Sequence, residues 1–241
     1  EPDLEAELED IESRVRKGYT ESSKLAFLRN KNGVTFLGDY YDSCRRFIAP
    51  IEDTIANARE QYTNWFNSRL RALLLGDTER ITSVEVMEKT DMLGVPMYVV
   101  LDLVARTDKF ACTIFDWKTG KRNDEYADQL ALYAFYMHAV KGYKIGDIKL
   151  VNVYLKEGPD VVYQHPRVTK EQINKARKRA EAGVKKLSSV LEPQGSLQKT
   201  LLANIPKPME AFPMVDDPDG RNSPCKFCNY RELCGLEEGG R

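Results

Sequence analysis

Apolar and polar positions change period several times along this chain, and each change marks an element. Residues 3–17 read as a short charged helix, and residues 39–75 as mainly helix with a break near Pro50. Three strand candidates follow at 81–88, 97–106 and 110–118. The turns between them, DMLG and TDK, are short enough for antiparallel hairpins. Thr119-Gly120 ends the third strand. Residues 124–140 return to helical spacing, with Leu130, Tyr133, Ala134 and Met137 on one stripe. A fourth strand is expected over 148–155, and a small further one over 161–164 after the EGPD turn. Thr169 is placed to cap a helix running to Leu191, with Ile173, Ala176, Ala180, Val184, Leu187 and Leu191 on its apolar face. Pro-rich sequence over 206–224 predicts an irregular arm.

The order helix, three strands, helix, strand implies an α/β layer structure. With 241 residues and 42% hydrophobic side chains, the chain can bury one sizeable core. The 36 Lys and Arg balance 37 Asp and Glu, so net charge alone does not announce a nucleic-acid binder. The distribution says more. Residues 1–12 are acidic, whereas 170–186 carry seven Lys or Arg against two Glu. Such a helix can face phosphates or simply present a solvated face. No apolar run approaches the roughly 20 residues of a membrane span, so no membrane partner is expected. The first residues lack the basic and apolar regions of a signal peptide. Five cysteines in a spacing unlike that of a small secreted scaffold fit a reducing, cytoplasmic setting.

Candidate chemistry gathers around the second and third strands. Side chains alternate faces along a strand, so Asp116 and Lys118 point the same way and Trp117 the other. Asp116 interrupts an otherwise apolar strand, and Asp102 is enclosed by Val99, Val100, Leu101, Leu103 and Val104. Buried carboxylates are costly unless paired or metal-bound. Two on neighbouring strands repel, and a hard divalent cation resolves that. Asp102 and Asp116 are therefore expected to hold Mg²⁺ or Mn²⁺, with Glu85 as a further ligand or supporting contact. Lys118 would position a water or stabilise developing charge, the pattern of phosphodiester hydrolysis. Gln129 and Tyr133, four apart on the next helix, share a face and can support Lys118 or touch a nucleic-acid backbone. A plain Asp–Lys ion pair is the structural alternative.

A second constellation is Cys225-x2-Cys228-x5-Cys234. A fourth ligand must come from elsewhere, and Cys44, beside Arg45 and Arg46, is the better candidate. Cys112 lies within an apolar strand, where a thiol is by default a small hydrophobe. Four thiolates close either a zinc site or a cubane cluster.

Together these residues resemble the PD-(D/E)xK nuclease superfamily, and within it the RecB-like branch. That branch shows an Asp after an apolar strand, then D-x-K-T-G, then Q-x3-Y, which Asp102, Asp116, Lys118, Gln129 and Tyr133 match. The resemblance implies a restriction-endonuclease-like α/β core: a mixed sheet flanked by helices in the order α-β-β-β-α-β. It also implies that the carbonyl of Trp117 is a metal ligand. AddB-type nucleases and CRISPR-associated RecB-like exonucleases carry one Cys before the core and C-x2-C-x5-C after it. The likeness thus implies a [4Fe–4S] cluster on Cys44, Cys225, Cys228 and Cys234. The expected organisation is an unassigned segment over 1–38, a nuclease core over 39–191 and a cysteine-bearing arm over 192–241 that packs with Cys44. One position departs from the family. The metal-ligating His usual on the helix before the first strand is missing, and Asn64, Asn67 and Glu60 are the nearby polar substitutes. The implied function is a metal-dependent DNA nuclease, an exonuclease on single strands or DNA ends, with a helicase or integrase as a separate partner chain. The other reading is a non-catalytic DNA-binding or assembly subunit that kept the fold.

Overall fold

The computed structural model describes residues 3–23, 51–120, 122, 125–212, 223 and 225. The chain divides into two compact units, Glu1–Gly183 and Val184–Arg241. The first unit holds the sheet. Its strands are β1 (Ile81–Val84), β2 (Met87–Met92), β3 (Val95–Val100), β4 (Leu103–Ala105), β5 (Cys112–Lys118), β6 (Ile148–Tyr154) and β7 (Val162–Gln164). Its helices are α1 (Leu4–Ser23), α2 (Ile51–Phe66), α3 (Arg69–Gly76), α4 (Glu125–Ala139) and most of α5 (Lys170–Ser189). In the second unit, α6 (Leu197–Ala203) follows a bridge partner, Leu191, that pairs with Pro206.

Five strands form a mixed sheet in the order β1-β4-β5-β6-β7. Only β5 and β6 run parallel, and α4 is the crossover that a parallel pair requires. Alternation along β5 and β6 divides the core in two. Cys112, Ile114, Ile148 and Leu150 face α4 and α5, meeting Leu130, Ala134, Ile173 and Ala176. Phe115, Val151 and Val153 face α2 and α3, meeting Trp65, Leu70 and Leu74. On that second face Trp117 packs edge-on to Trp65 at 5.0 Å between ring centres. Helices thus cover both sheet faces, the arrangement expected from the sequence. The α5 N-terminus is a reciprocal cap: Thr169 Oγ1 accepts from Gln172 N (3.2 Å) and Gln172 Oε1 accepts from Thr169 N (2.9 Å).

Two expected strands are broken. Residues 81–88 split at Glu85, and 97–106 split at Asp102. Glu85 takes a left-handed φ of 46°, and its N–H donates to both Leu101 O (3.1 Å) and Asp102 O (3.0 Å). That bend turns β2 and β3 out of the main sheet into a two-stranded hairpin of their own. The DMLG turn closes it as expected, with Met92 opposite Val95 and positive φ at Leu93 (60°) and Gly94 (73°). Consecutive positive φ values suit the twist of a two-residue hairpin. The hairpin's inner face is tied down by Tyr136, whose hydroxyl donates to Glu88 Oε2 at 2.7 Å. Helix α1 is also longer than the 3–17 expected, and α2 and α3 are separated at Asn67-Ser68. Ser68 caps α3 by accepting from Arg71 N at 3.0 Å. Among the described residues, no helix is long and apolar enough to cross a membrane.

Candidate metal and hydrolysis site

The second half of β5 carries the chemistry because β4 stops short of it. Pairing between them runs from Leu103 opposite Phe115 to Ala105 opposite Thr113. Asp116, Trp117 and Lys118 lie past the end of that ladder. The chain bends at Asp102 just before β4, and the Asp102 carboxylate takes the place of a strand partner. Its Oδ2 accepts from Trp117 N at 2.8 Å. N–H and C=O of one strand residue point to the same edge, so the Trp117 carbonyl opens toward Asp102. Asp102, Asp116 and Trp117 thus meet where the β4 ladder ends. Glu85 is adjacent through its backbone, but its side chain is exposed. Among the described residues, no group of three or more His, Cys, Asp and Glu side chains forms.

Asp116 is buried, at 2% exposure. Lys118 Nζ donates to its Oδ2 at 2.6 Å, and Asn152 Nδ2 donates to the same oxygen at 2.7 Å. Both bonds end on Oδ2, so Oδ1 keeps its lone pairs among the described residues. Burial pushes the Asp116 pKa up, against the opposing pull of Lys118 and with a further push from the Asp102 charge. Lys118 is itself nearly enclosed. Its ammonium donates to Gln129 Oε1 at 3.0 Å and lies over the Tyr126 ring at 4.2 Å. Gln129 Nε2 in turn donates to the Tyr133 hydroxyl at 2.9 Å. An ammonium only donates, which fixes the orientation of the Gln129 amide. Burial, and then the two aspartates, hold the Tyr133 pKa up, so its hydroxyl stays protonated. Gln129 thus contacts the Lys118 ammonium directly, and Tyr133 reaches it through Gln129.

Three contacts were not read from the sequence. Tyr126 is one. The others are Asn152, fully buried, and His165, whose Nε2 lies 2.5 Å from Asn152 Oδ1. Asn152 interrupts the apolar run LVNVYL as Asp116 interrupts its own strand, so the signal was present. His165, just before Pro166, follows β7 and turns inward. Burial, and then the Lys149 charge, lower its pKa, which favours the neutral ring. The suggested substitutes for the missing histidine are otherwise engaged or turned outward. Asn64 donates to Leu155 O at 2.7 Å, Asn67 to Thr63 O at 3.0 Å, and Glu60 is exposed.

Cys112 is fully buried at the head of β5, and burial pushes its thiol up to about 12. Cys225 is half-buried. Cys44, Cys228 and Cys234 lie outside the described residues.

The donor types suit a hard divalent cation: two carboxylates, each with one oxygen unengaged among the described residues, and a strand carbonyl past its ladder, beside a lysine bonded to Asp116. A model of the PD-(D/E)XK nuclease superfamily matches residues 36–235. No curated protein matches the chain. Superfamily members are generally nucleases and usually use Mg²⁺ or Mn²⁺. Since the match spans the whole sheet and every residue of this edge, the chain belongs to the PD-(D/E)XK nuclease superfamily.

Proposed function

We propose that this chain is a metal-dependent deoxyribonuclease of the RecB-like branch, acting as an exonuclease on single strands or DNA ends. The observation that carries the reading is the 2.6 Å contact of Lys118 with Asp116, on an edge that Asp102 shares through Trp117 N. Asp102, Asp116 and the Trp117 carbonyl would hold the cation, with Glu85 close enough in the chain to contribute. When bound, Mg²⁺ or Mn²⁺ supplies charge to polarise a phosphate oxygen and to acidify a water. The protein's own groups do the rest. Asp116 and Asp102 fix the electronegative floor of the site. Lys118, held by Gln129 and Tyr133, presents a positive charge where the phosphorane gains negative charge. The D-x-K-T-G and Q-x3-Y spacing supports the RecB-like assignment. Exposed Met87, Tyr98 and Val100 on the β2–β3 hairpin lead into Asp102, and an apolar and aromatic face there suits unstacked bases.

The test is cleavage by purified full-length protein of end-labelled single- and double-stranded DNA with Mn²⁺. Release of short products from ends supports the exonuclease. The missing upstream histidine favours one other reading, a DNA-binding or assembly subunit. DNA binding without cleavage by metal-replete protein would establish it.

Metal binding should weaken as pH falls through the raised range of Asp116. The sign follows from burial: the folded protein holds that proton more tightly than the unfolded chain does. Cation and proton therefore compete at higher pH than for an ordinary carboxylate. In metal-free protein the associated stability is full below the unfolded pKa and is lost as pH rises through the folded one. Calorimetric titration of Mn²⁺ at several pH values checks this. An affinity independent of pH across the mildly acidic range would contradict it.

The cysteine spacing further supports a [4Fe–4S] cluster on Cys44, Cys225, Cys228 and Cys234. The buried thiol of Cys112 supports leaving it out of the set. Anaerobically purified protein is expected to be brown, with broad absorbance near ~400 nm. Cys44→Ser should lose iron and Cys112→Ser should keep it. Colourless protein with stoichiometric zinc would replace the cluster by a zinc site. The cytoplasmic setting rests on the cysteine spacing, and a separate helicase or integrase partner on the family likeness.

A further inference from the structure

Asn152 and His165 have no part in the hydrolysis described above, yet they complete a hydrogen-bond run that ends on Asp116. Asn152 stands directly opposite Asp116 in the parallel β5–β6 register. It is fully buried, and both ends of its amide are engaged. The directions of these bonds follow from chemistry. An ionised carboxylate only accepts, so the Asn152 NH₂ must face Asp116 Oδ2. Asn152 Oδ1 then faces His165 Nε2, and that nitrogen must carry the proton. His165 is clamped to make this bond. Its N–H donates to Leu150 O at 3.0 Å, and its carbonyl accepts from Lys149 Nζ at 2.6 Å. Its ring meets the edge of Tyr163 at 4.7 Å.

We propose that Asn152 and His165 are a positioning pair: together they hold Asp116 Oδ2 against Lys118 and so aim Oδ1 at the cation. This rests on the reading of Asp116 as a cation ligand. A carboxylate held through one oxygen by two donors cannot swing about its terminal torsion, and its second oxygen has one direction left. Neither residue touches substrate or cation. Both act through Asp116, as groups behind metal ligands do, where losses typically cost about 10–100-fold in metal affinity.

The test uses full-length protein and Mn²⁺ alone, read by electron paramagnetic resonance. Relative to wild type, Asn152→Ala and His165→Ala should each raise the dissociation constant about 10–100-fold. His165→Gln, which keeps an N–H near the Nε2 position, should recover most of the loss. Nitrogen-15 spectra of the wild-type imidazole should show the proton on Nε2. Should Asn152→Ala fail to fold, the His165 pair and the imidazole spectrum still decide. Mn²⁺ binding by His165→Ala within about twofold of wild type, or a proton on Nδ1, overturns the pair. If Asp116→Ala binds Mn²⁺ as wild type does, the cation-site reading falls and takes the pair with it. If Asp116→Ala loses Mn²⁺ while Asn152→Ala and His165→Ala keep it, only the pair falls.

Discussion

Lys118→Met is expected to slow DNA cleavage by about 10²–10³-fold, the usual cost of losing one group that stabilises transition-state charge in an enclosed site. Methionine keeps the length of the side chain and its contact with Tyr126, so packing changes little. What disappears is the ammonium between Asp116 and Gln129, 2.6 and 3.0 Å from its two partners. Asp116 would then keep Asn152 as its donor, and cation binding should survive better than turnover. Asp116→Ala should lose both. Single-turnover rates at saturating Mn²⁺ separate the two variants, provided that each is cleared of contaminating nuclease. A Lys118→Met protein that cleaves at the wild-type rate would remove Lys118 from the chemistry.

Leu130→Ala is expected to be the most damaging truncation in the core. Leu130 is fully buried on α4 among Ile114, Ile148 and Ala134. It lies beside Gln129, so the same helix turn packs the core and supports Lys118. Removing a buried leucine side chain costs about 2–5 kcal/mol, part lost transfer energy and part cavity. For a chain of this size each kcal/mol moves the melting point by roughly 2–4 °C, so a drop of about 4–20 °C should be seen by calorimetry. A shift under about 2 °C would mean that α4 repacks freely and is a poor platform for Gln129.

The candidate site on β5 was legible because burying a charge is expensive. Asp116 stands in a run of apolar residues, and only an ion pair, a cation or both make that tolerable. Two-residue alternation placed Lys118 beside it, and four-residue spacing placed Gln129 with Tyr133. Both periods are ones that the backbone imposes locally. The break at Glu85 had no such mark. A glutamate in left-handed conformation is not announced by residue type as a glycine would be, so two strands were read through their bends. The His165 contact depends on the β7 return, where Val151 pairs with Gln164 and Asn152 with Tyr163. That register is a tertiary fact, invisible to any window along the chain. Asn152 breaks an apolar run as Asp116 does, but a neutral amide costs less to bury than a charge and so marks its strand more faintly.

Cys112 sits in β5 itself, opposite Ile148 of β6 and one residue before the β4 ladder begins at Thr113. Its thiol meets no solvent while α4 and α5 stay packed on that face of the sheet, and burial keeps it protonated at neutral pH. An alkylating reagent can reach it only after the helices have come away from the sheet face that also carries Asp116 and Lys118. The rate of its modification, read on its own peptide by mass spectrometry, is then a clock for that detachment and distinct from the other cysteines. Anything that binds on Asp116 favours the closed state by mass action and must slow the clock. Cation or nucleic-acid occupancy becomes measurable in this way without a label and without turnover.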